Sequence, residues 1–167
     1  MDAVRKNPLA FQYTGIAFRN NADIALAVVE KDFSQLRHAS NELKRNENFM
    51  LQAIYLRGEA LQYANLELQN NEAFLLTAVK ANPFALQFVT LTFKANPEIV
   101  LAAVRQYGIV LQYADVTLRS NRDIVLAAVT SNCLALQYAS EELRADEAVI
   151  KAAIKSNPEA ARFTIRL

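Results

Sequence analysis

Apolar residues recur along this chain at helical spacing, and the same pattern returns every 25 residues. The clearest marker is a triplet of a leucine, a glutamine and an aromatic residue, found at 61–63, 86–88, 111–113 and 136–138. An aliphatic run follows each copy, with apolar side chains three and four residues apart as in an amphipathic helix. The polar–apolar alternation that is typical of strands is missing. The pattern therefore predicts an all-α protein built from tandem repeats.

Counting from the triplet gives six full repeats of 25 residues, with a partial repeat at each end of the chain. The boundaries are 1–10, 11–35, 36–60, 61–85, 86–110, 111–135, 136–160 and 161–167. We number positions within a repeat from 1 to 25, starting at the triplet. Neither end shows the polar outer face that usually closes a repeat array. We therefore expect one solenoid domain over 1–167, either a fragment of a larger protein or an array whose ends a partner covers.

Each repeat carries two predicted helix starts. An Asn-Pro pair such as Asn82-Pro83 suits the first, because Asn caps a helix and Pro fits its first turn. An Asn or Asp at position 11 marks the second. The spacing predicts one helix from Pro83 to about Lys94 and another from Pro97 to about Gln106. Alanine recurs at position 18, which favours close helix packing, and the expected architecture is a right-handed α-solenoid of 25-residue helix pairs.

Charge and composition narrow the range of functions. Eighteen basic and 17 acidic residues nearly cancel, which argues against a nucleic-acid or anionic-membrane partner. A single cysteine and a single histidine exclude a disulfide framework, a cysteine zinc site and a paired-histidine site within the chain. We expect no cofactor and no metal. No apolar run is long enough for a membrane span, and the first residues lack the apolar core of a signal peptide.

The stretch 111–129 carries a family likeness. It reads Leu-Gln-Tyr-Ala, then Leu-Arg, then Asn121, then an aliphatic run that ends in Ala-Ala-Val. This pattern resembles the repeat called domain of unknown function 4116, and it weakens at Leu36-Arg37-His38. The resemblance implies tandem helical repeats found in intracellular bacteria, including secreted effectors, and in some protists and their large viruses. It implies no catalytic residues, and it suggests a location in the cytoplasm or, after secretion, in a host cell.

The glutamines at position 2 are the first candidate partner-binding residues: Gln62, Gln87, Gln112 and Gln137. Helical geometry places them far from the middle of the apolar stripe, on an exposed or groove side. One interpretation is a row of amides that grips a peptide backbone. The other, which we favour, is a hydrogen-bond ladder between repeats that sets their stacking register.

Three apolar residues complete the set of candidate partner-binding residues: Phe84, Ile109 and Leu134. They lie near the start of the first helix in the central repeats, which are the least charged part of the chain. An exposed apolar patch often marks an interface. We therefore expect a partner to dock there.

Four other features have structural explanations that we favour. The aromatic residues at position 3 suit core packing better than base stacking. The basic residues at position 9 suit the end of a helix dipole better than a phosphate-tracking stripe. Cys133 has no placed base beside it to form a catalytic thiol, and His38 takes an aromatic position where packing is expected.

These observations favour a non-catalytic protein–protein interaction or scaffold module that is not an enzyme. One alternative is a single-stranded nucleic-acid binding helical repeat, which would bind in a strongly salt-dependent way. A second is a structural or regulatory arm of an enzyme whose catalytic domain lies outside this chain.

Overall fold

The computed structural model describes residues 7–165, and every regular element in that range is a helix. Residues 1–6, 166 and 167 lie outside the described residues, and with them most of the predicted partial repeat 1–10 and the alanine at position 18 of that repeat, Ala3. Three kinds of helix alternate from Pro8 onward: a 3-10 helix, a short α-helix and a long α-helix. None of the described helices is long and apolar enough to cross a membrane.

The 3-10 helices start 25 residues apart and have six residues each. Their bounds are Pro8–Tyr13, Phe33–His38, Gly58–Tyr63, Pro83–Phe88, Gly108–Tyr113, Cys133–Tyr138 and Pro158–Phe163. The short α-helices are Ile16–Arg19, Asn41–Arg45, Leu66–Gln69, Leu91–Lys94, Val116–Arg119 and Glu141–Ala145. The long α-helices are Ala22–Lys31, Glu47–Leu56, Glu72–Ala81, Pro97–Gln106, Arg122–Ser131 and Glu147–Ser156.

The first helix of each predicted pair is not continuous, which corrects the expected helix pair. The helix predicted from Pro83 to about Lys94 is divided into a 3-10 helix that ends at Phe88 and an α-helix that starts at Leu91. Positions 4 and 5 are extended at such a break, as at Asp115, where φ is −59° and ψ is 152°. The Asp115 carboxylate then accepts the N–H of Thr117 and caps the short helix. An extended residue at position 5 thus separates the two helices, and in four of the six full repeats its side chain also caps the short helix.

The second helix of each pair is confirmed, including its bounds at Pro97 and Gln106. Asn96 caps it by accepting the N–H groups of Glu98 and Ile99. The equivalent side chains at position 11 cap all the other long helices in the described range. All four prolines lie in the first turn of a helix, as predicted.

Two compact units make up the chain, one ending at Val89 and the other starting at Thr90. In each unit the consecutive long helices pack against one another, and so do the consecutive 3-10 helices. Positions 14, 15, 18 and 19 of the long helices supply the core, as in Phe74, Leu75, Ala78 and Val79. The alanines at position 18 from Ala53 onward are fully buried, which confirms their packing role. Each buried aliphatic side chain contributes about 1.5–3 kcal/mol to folding.

Backbone hydrogen bonds join consecutive repeats inside each compact unit. The position-9 carbonyl accepts the N–H of position 5 in the next repeat. In the first unit the Ser40 nitrogen lies 3.0 Å from the Arg19 oxygen, and the Asn65 nitrogen lies 3.0 Å from the Lys44 oxygen. The corresponding N···O distances in the second unit are 2.9 Å for Asp115 to Lys94, 3.0 Å for Ser140 to Arg119 and 3.1 Å for Ile165 to Arg144. Neighbouring repeats are therefore held in register by main-chain atoms.

Candidate functional site

The four candidate glutamines lie near the end of the 3-10 helices. Gln62, Gln87 and Gln137 are exposed, and Gln112 is half-buried. The Gln62 amide donates to the Glu59 carbonyl at 3.0 Å, within its own 3-10 helix. Gln137 makes the same 3.0 Å bond to the carbonyl of Leu134. These bonds are local, so they do not form the ladder between repeats that we favoured.

Of the three candidate apolar residues, one is exposed and two are half-buried. Phe84, in the first compact unit, is 43% exposed. Ile109 and Leu134, in the second compact unit, are half-buried. Leu134 lies three residues before Gln137 and is tied to it through the carbonyl bond described above.

A more exposed set of apolar residues occupies position 6, the first residue of the short helices, and the sequence analysis missed it. In the first compact unit Ile16 is 64% and Leu66 is 74% exposed. In the second, Leu91 is 81% and Val116 is 61% exposed. Asn41 and Glu141 hold the same position in the other two full repeats. We call the four apolar residues the position-6 side chains, and their recurrence at one place was visible in the sequence.

A groove on the first compact unit offers a second apolar surface. It has a volume of about 330 Å³ and is lined by Leu26, Leu51, Gln52, Tyr55 and Leu56. The Tyr55 side chain is 70% exposed. The groove therefore runs over the solvent side of the long helices Ala22–Lys31 and Glu47–Leu56.

The aromatic residues at position 3 are not core residues, which corrects the packing interpretation. Tyr13 is 84% exposed. The others are half-buried, and none within residues 7–165 belongs to the buried class. Tyr63 packs beside Phe33 with 6.4 Å between ring centroids and a tilt of 49°. These rings cover the edge of the core and leave one side in water.

The basic residues at position 9 are half-buried, and two of them bind main-chain oxygens. Lys44 Nζ donates to the Arg37 carbonyl at 2.7 Å, and Arg144 Nε donates to the Phe163 carbonyl at 2.8 Å. Both acceptors lie at or beside the end of a 3-10 helix, not in the residue's own short helix. The structural interpretation thus holds for these two residues, although the carbonyls concerned belong to another helix than the one we expected.

His38 lies at position 3 with cationic neighbours. Burial lowers the pKa of its imidazole below 6.5, and the charges of Arg37, Lys44 and Arg19 lower it further. Burial also lowers the pKa of Lys44. The Arg19 Nε atom is buried and has no hydrogen-bond partner. The charges of three basic residues therefore act on one half-buried imidazole.

Cys133 and an acidic cavity are further groups that could carry chemistry in the described residues. Cys133 is 6% exposed and is packed at the start of its 3-10 helix. A cavity of about 470 Å³ is lined by Glu141, Glu142, Ala145, Asp146 and Ile165. Hydrogen bonds from the Val149 N–H and from Arg122 lower the pKa of Asp146. Among residues 7–165, no group of three or more His, Cys, Asp or Glu side chains is arranged to hold a metal ion.

A family model matches the chain in six overlapping windows: 1–44, 21–69, 46–94, 71–119, 96–144 and 121–164. From the second window on, each begins at the Asn that caps a long helix. No curated protein and no solved structure matches the chain. The windows span nearly all of the sequence and overlap in tandem. The chain therefore belongs to the family described as Domain of unknown function (DUF4116).

Proposed function

We propose that this chain is a non-catalytic module for protein–protein interaction, and that the position-6 side chains anchor its partner. The observation that carries the proposal is the exposure of Leu91 and Val116, at 81% and 61%, in consecutive repeats of one compact unit. Single exposed apolar residues are ordinary, whereas repetition at one place in the repeat is not. Burying such side chains against a partner gains about 25 cal/mol per Å² of apolar area.

The surroundings of these two anchors favour a protein over a nucleic acid. Uncharged residues, Thr92 and Thr117, follow the two anchors directly, and the short helix of each anchor carries a single charged residue, at its last position. At position 9, Arg144 donates to a main-chain oxygen, which leaves it less able to follow a phosphate backbone. The exposed amides of Gln87 and Gln137 add polar groups that a partner's backbone can bind.

The proposed architecture is a right-handed α-solenoid of 25-residue repeats that forms one domain over 1–167. The bonds from position 5 to position 9 support this arrangement inside each compact unit. In this proposal the module acts as a scaffold within a larger protein, in the cytoplasm or, as a bacterial effector, in a host cell.

The test replaces the two anchors with asparagine, the residue that Asn41 already places at position 6. Leu91→Asn/Val116→Asn should fold like the unchanged chain, because both sites are exposed. Proteins captured from a host-cell lysate are compared by quantitative mass spectrometry, and binding of each purified hit is then measured. We expect the double variant to bind at least tenfold more weakly, which corresponds to about 1.4 kcal/mol.

The matched control is Ala95→Asn/Ser120→Asn, which makes two exposed asparagines in the same two repeats at position 10. Asn20 and Asn70 hold that position naturally. The control should keep full binding. Equal binding by the anchor variant and the control would show that the position-6 side chains are not the docking site, and capture of no protein would reject the interaction function.

A further inference from the structure

The turn at residues 37–40 gathers basic groups from two consecutive repeats of the first compact unit. The Arg19 carbonyl accepts the Ser40 N–H at 3.0 Å, which places the end of the short helix Ile16–Arg19 against this turn. From the other side, Lys44 Nζ reaches the Arg37 carbonyl at 2.7 Å. His38 follows Arg37 directly in this turn, and the charges of all three basic residues lower the pKa of its imidazole. We call Arg19, Arg37, His38 and Lys44 the basic turn.

The sequence of repeat 36–60 adds basic residues to this turn. Position 2 is Gln in the other full repeats but Arg37 here, and position 3 is aromatic in the other full repeats but His38 here. Repeat 36–60 is thus the full repeat that lacks the Leu-Gln-Tyr triplet and its Phe variants. It is also the repeat in which the residues at positions 2 and 3 are both basic. Position 9 is basic in this repeat, at Lys44, and in the repeat before it, at Arg19, so two more basic residues belong to the elements around this turn.

Two acids lie near the basic turn and accept hydrogen bonds from other residues, and Arg37 Nε itself donates to the Ser34 carbonyl at 2.9 Å. The Asp32 carboxylate accepts the Ser34 N–H and the Gln35 amide, both at 3.0 Å, at the other end of the 3-10 helix, and it also attracts Arg37. Glu42 accepts the Asn20 amide at 2.7 Å. The charges that shift the pKa of His38 are those of Arg37, Lys44 and Arg19. The buried Nε of Arg19, like that of Arg119, has no hydrogen-bond partner.

We propose that the basic turn binds a phosphate dianion. A phosphate group carries two negative charges near neutral pH and offers three acceptor oxygens, which suits several cationic donors around one half-buried point. Lys44, Arg19 and His38 are half-buried and Arg37 is exposed, so a ligand reaches the turn from solvent. The ligand is either free phosphate or a phosphate group on a peptide. The site does not depend on the position-6 side chains.

The single histidine makes the test direct, because its ring signals in an NMR spectrum belong to His38 alone. The ring is titrated in sodium phosphate and in sodium chloride at equal ionic strength. A bound dianion favours the protonated ring, so we expect phosphate to raise the His38 midpoint by about half a pH unit or more. Identical midpoints in the two salts would overturn the proposal.

Charge-removing variants that the fold already accepts sharpen the result. Lys44→Gln copies Gln69, whose amide donates to the equivalent Gln62 carbonyl at 3.2 Å. Lys44→Gln and Arg19→Gln should each reduce the phosphate-induced shift at least twofold, whereas Arg119→Gln, a matched position-9 change in the second compact unit, should leave it intact. A shift that survives in Lys44→Gln and Arg19→Gln would also overturn the proposal. A second experiment repeats the titration with a phosphoserine peptide to distinguish free phosphate from a phosphate group on a protein. Tighter binding of the peptide than of inorganic phosphate would indicate a phosphorylated protein.

Discussion

Lys44 and Gln69 occupy position 9 of two consecutive repeats and reach equivalent carbonyls, those of Arg37 and Gln62. One side chain is a charged amine whose pKa burial lowers, and the other is a neutral amide. Gln69 makes an additional 2.8 Å bond to the Ala64 carbonyl. In these two repeats the same bond is therefore made with a charged donor and with a neutral one. The positive charge of Lys44, which Gln69 lacks, is not needed for this bond.

The same two repeats differ again at position 3. Tyr63 lies beside the Phe33 ring, whereas His38 lies among Arg19, Arg37 and Lys44. Both side chains are half-buried in the same place of the 3-10 helix. The backbone frame is thus common to the repeats, and individual repeats can add chemistry to it without changing the helices. Replacing a residue by one that another repeat or a neutral choice allows should therefore be tolerated at some positions and not at others.

The largest effect on stability is expected at Gly108, where a larger residue should not be tolerated. A Cβ built there lies 2.0 Å from the Ala128 carbonyl oxygen, and the Gly108 N–H donates to Ser131 Oγ at 3.1 Å. Because main-chain atoms cannot move aside as a side-chain end can, Gly108→Ala should lower the free energy of unfolding by about 3 kcal/mol or more. The measurement is urea unfolding followed by circular dichroism.

Gly15 supplies the control for that experiment. Nothing lies within 4 Å of a Cβ built at Gly15, and its φ of −65° suits alanine. Gly15→Ala should leave stability unchanged or raise it by up to about 1 kcal/mol, because alanine restricts the unfolded chain. If Gly108→Ala were as harmless as Gly15→Ala, the close approach at Gly108 would not constrain the repeat.

A smaller effect is expected from giving His38 the residue of the neighbouring repeat. Because the folded-state pKa of His38 is lowered from 6.5, the unfolded state binds more protons just below that pH, and stability should rise as the pH increases through this window. The shifted carboxylates, which have reference pKa values of 3.8 and 4.5, act at lower pH. His38→Tyr should therefore flatten the dependence of unfolding free energy on pH between about pH 5 and 7. Unfolding in urea across that range measures the slope, and an unchanged slope would contradict the assignment.

Much of the fold was predictable because its local signals are strong. The Asn at position 11 and the prolines specify helix starts by their own hydrogen bonding and ring geometry, as at Asn96 and Pro97. The break inside the first helix was missed, although Ser40, Asn65 and Asp115 are all good capping residues at position 5. Apolar spacing continues across that break, so periodicity alone gives no sign of it.

The candidate surface was less predictable for a different reason. The periodicity correctly placed Gln62 and Gln137 on the solvent side. It gave no warning that Leu91 is exposed, because an apolar residue at the start of a helix has the spacing of a core residue. The hydrogen bond between the Ser40 N–H and the Arg19 carbonyl, which joins consecutive repeats, uses main-chain atoms only. Because any residue other than proline can make such a bond, it cannot be recognised in the sequence.

The smallest effect is expected at Gln62, compared with Gln69 in the same repeat. Gln62 is exposed and donates to one carbonyl, whereas Gln69 is half-buried and donates to those of Gln62 and Ala64. Gln62→Ala should lower the free energy of unfolding by less than about 1 kcal/mol, and Gln69→Ala by about 1–2 kcal/mol, since loss of a partly buried donor leaves carbonyls unpaired. Thermal and urea unfolding of both variants measure the difference. If Gln62→Ala lowered the free energy of unfolding as much as Gln69→Ala, the interpretation of the glutamines as a hydrogen-bond ladder between repeats would be favoured again. A smaller loss leaves the exposed amides available to a partner.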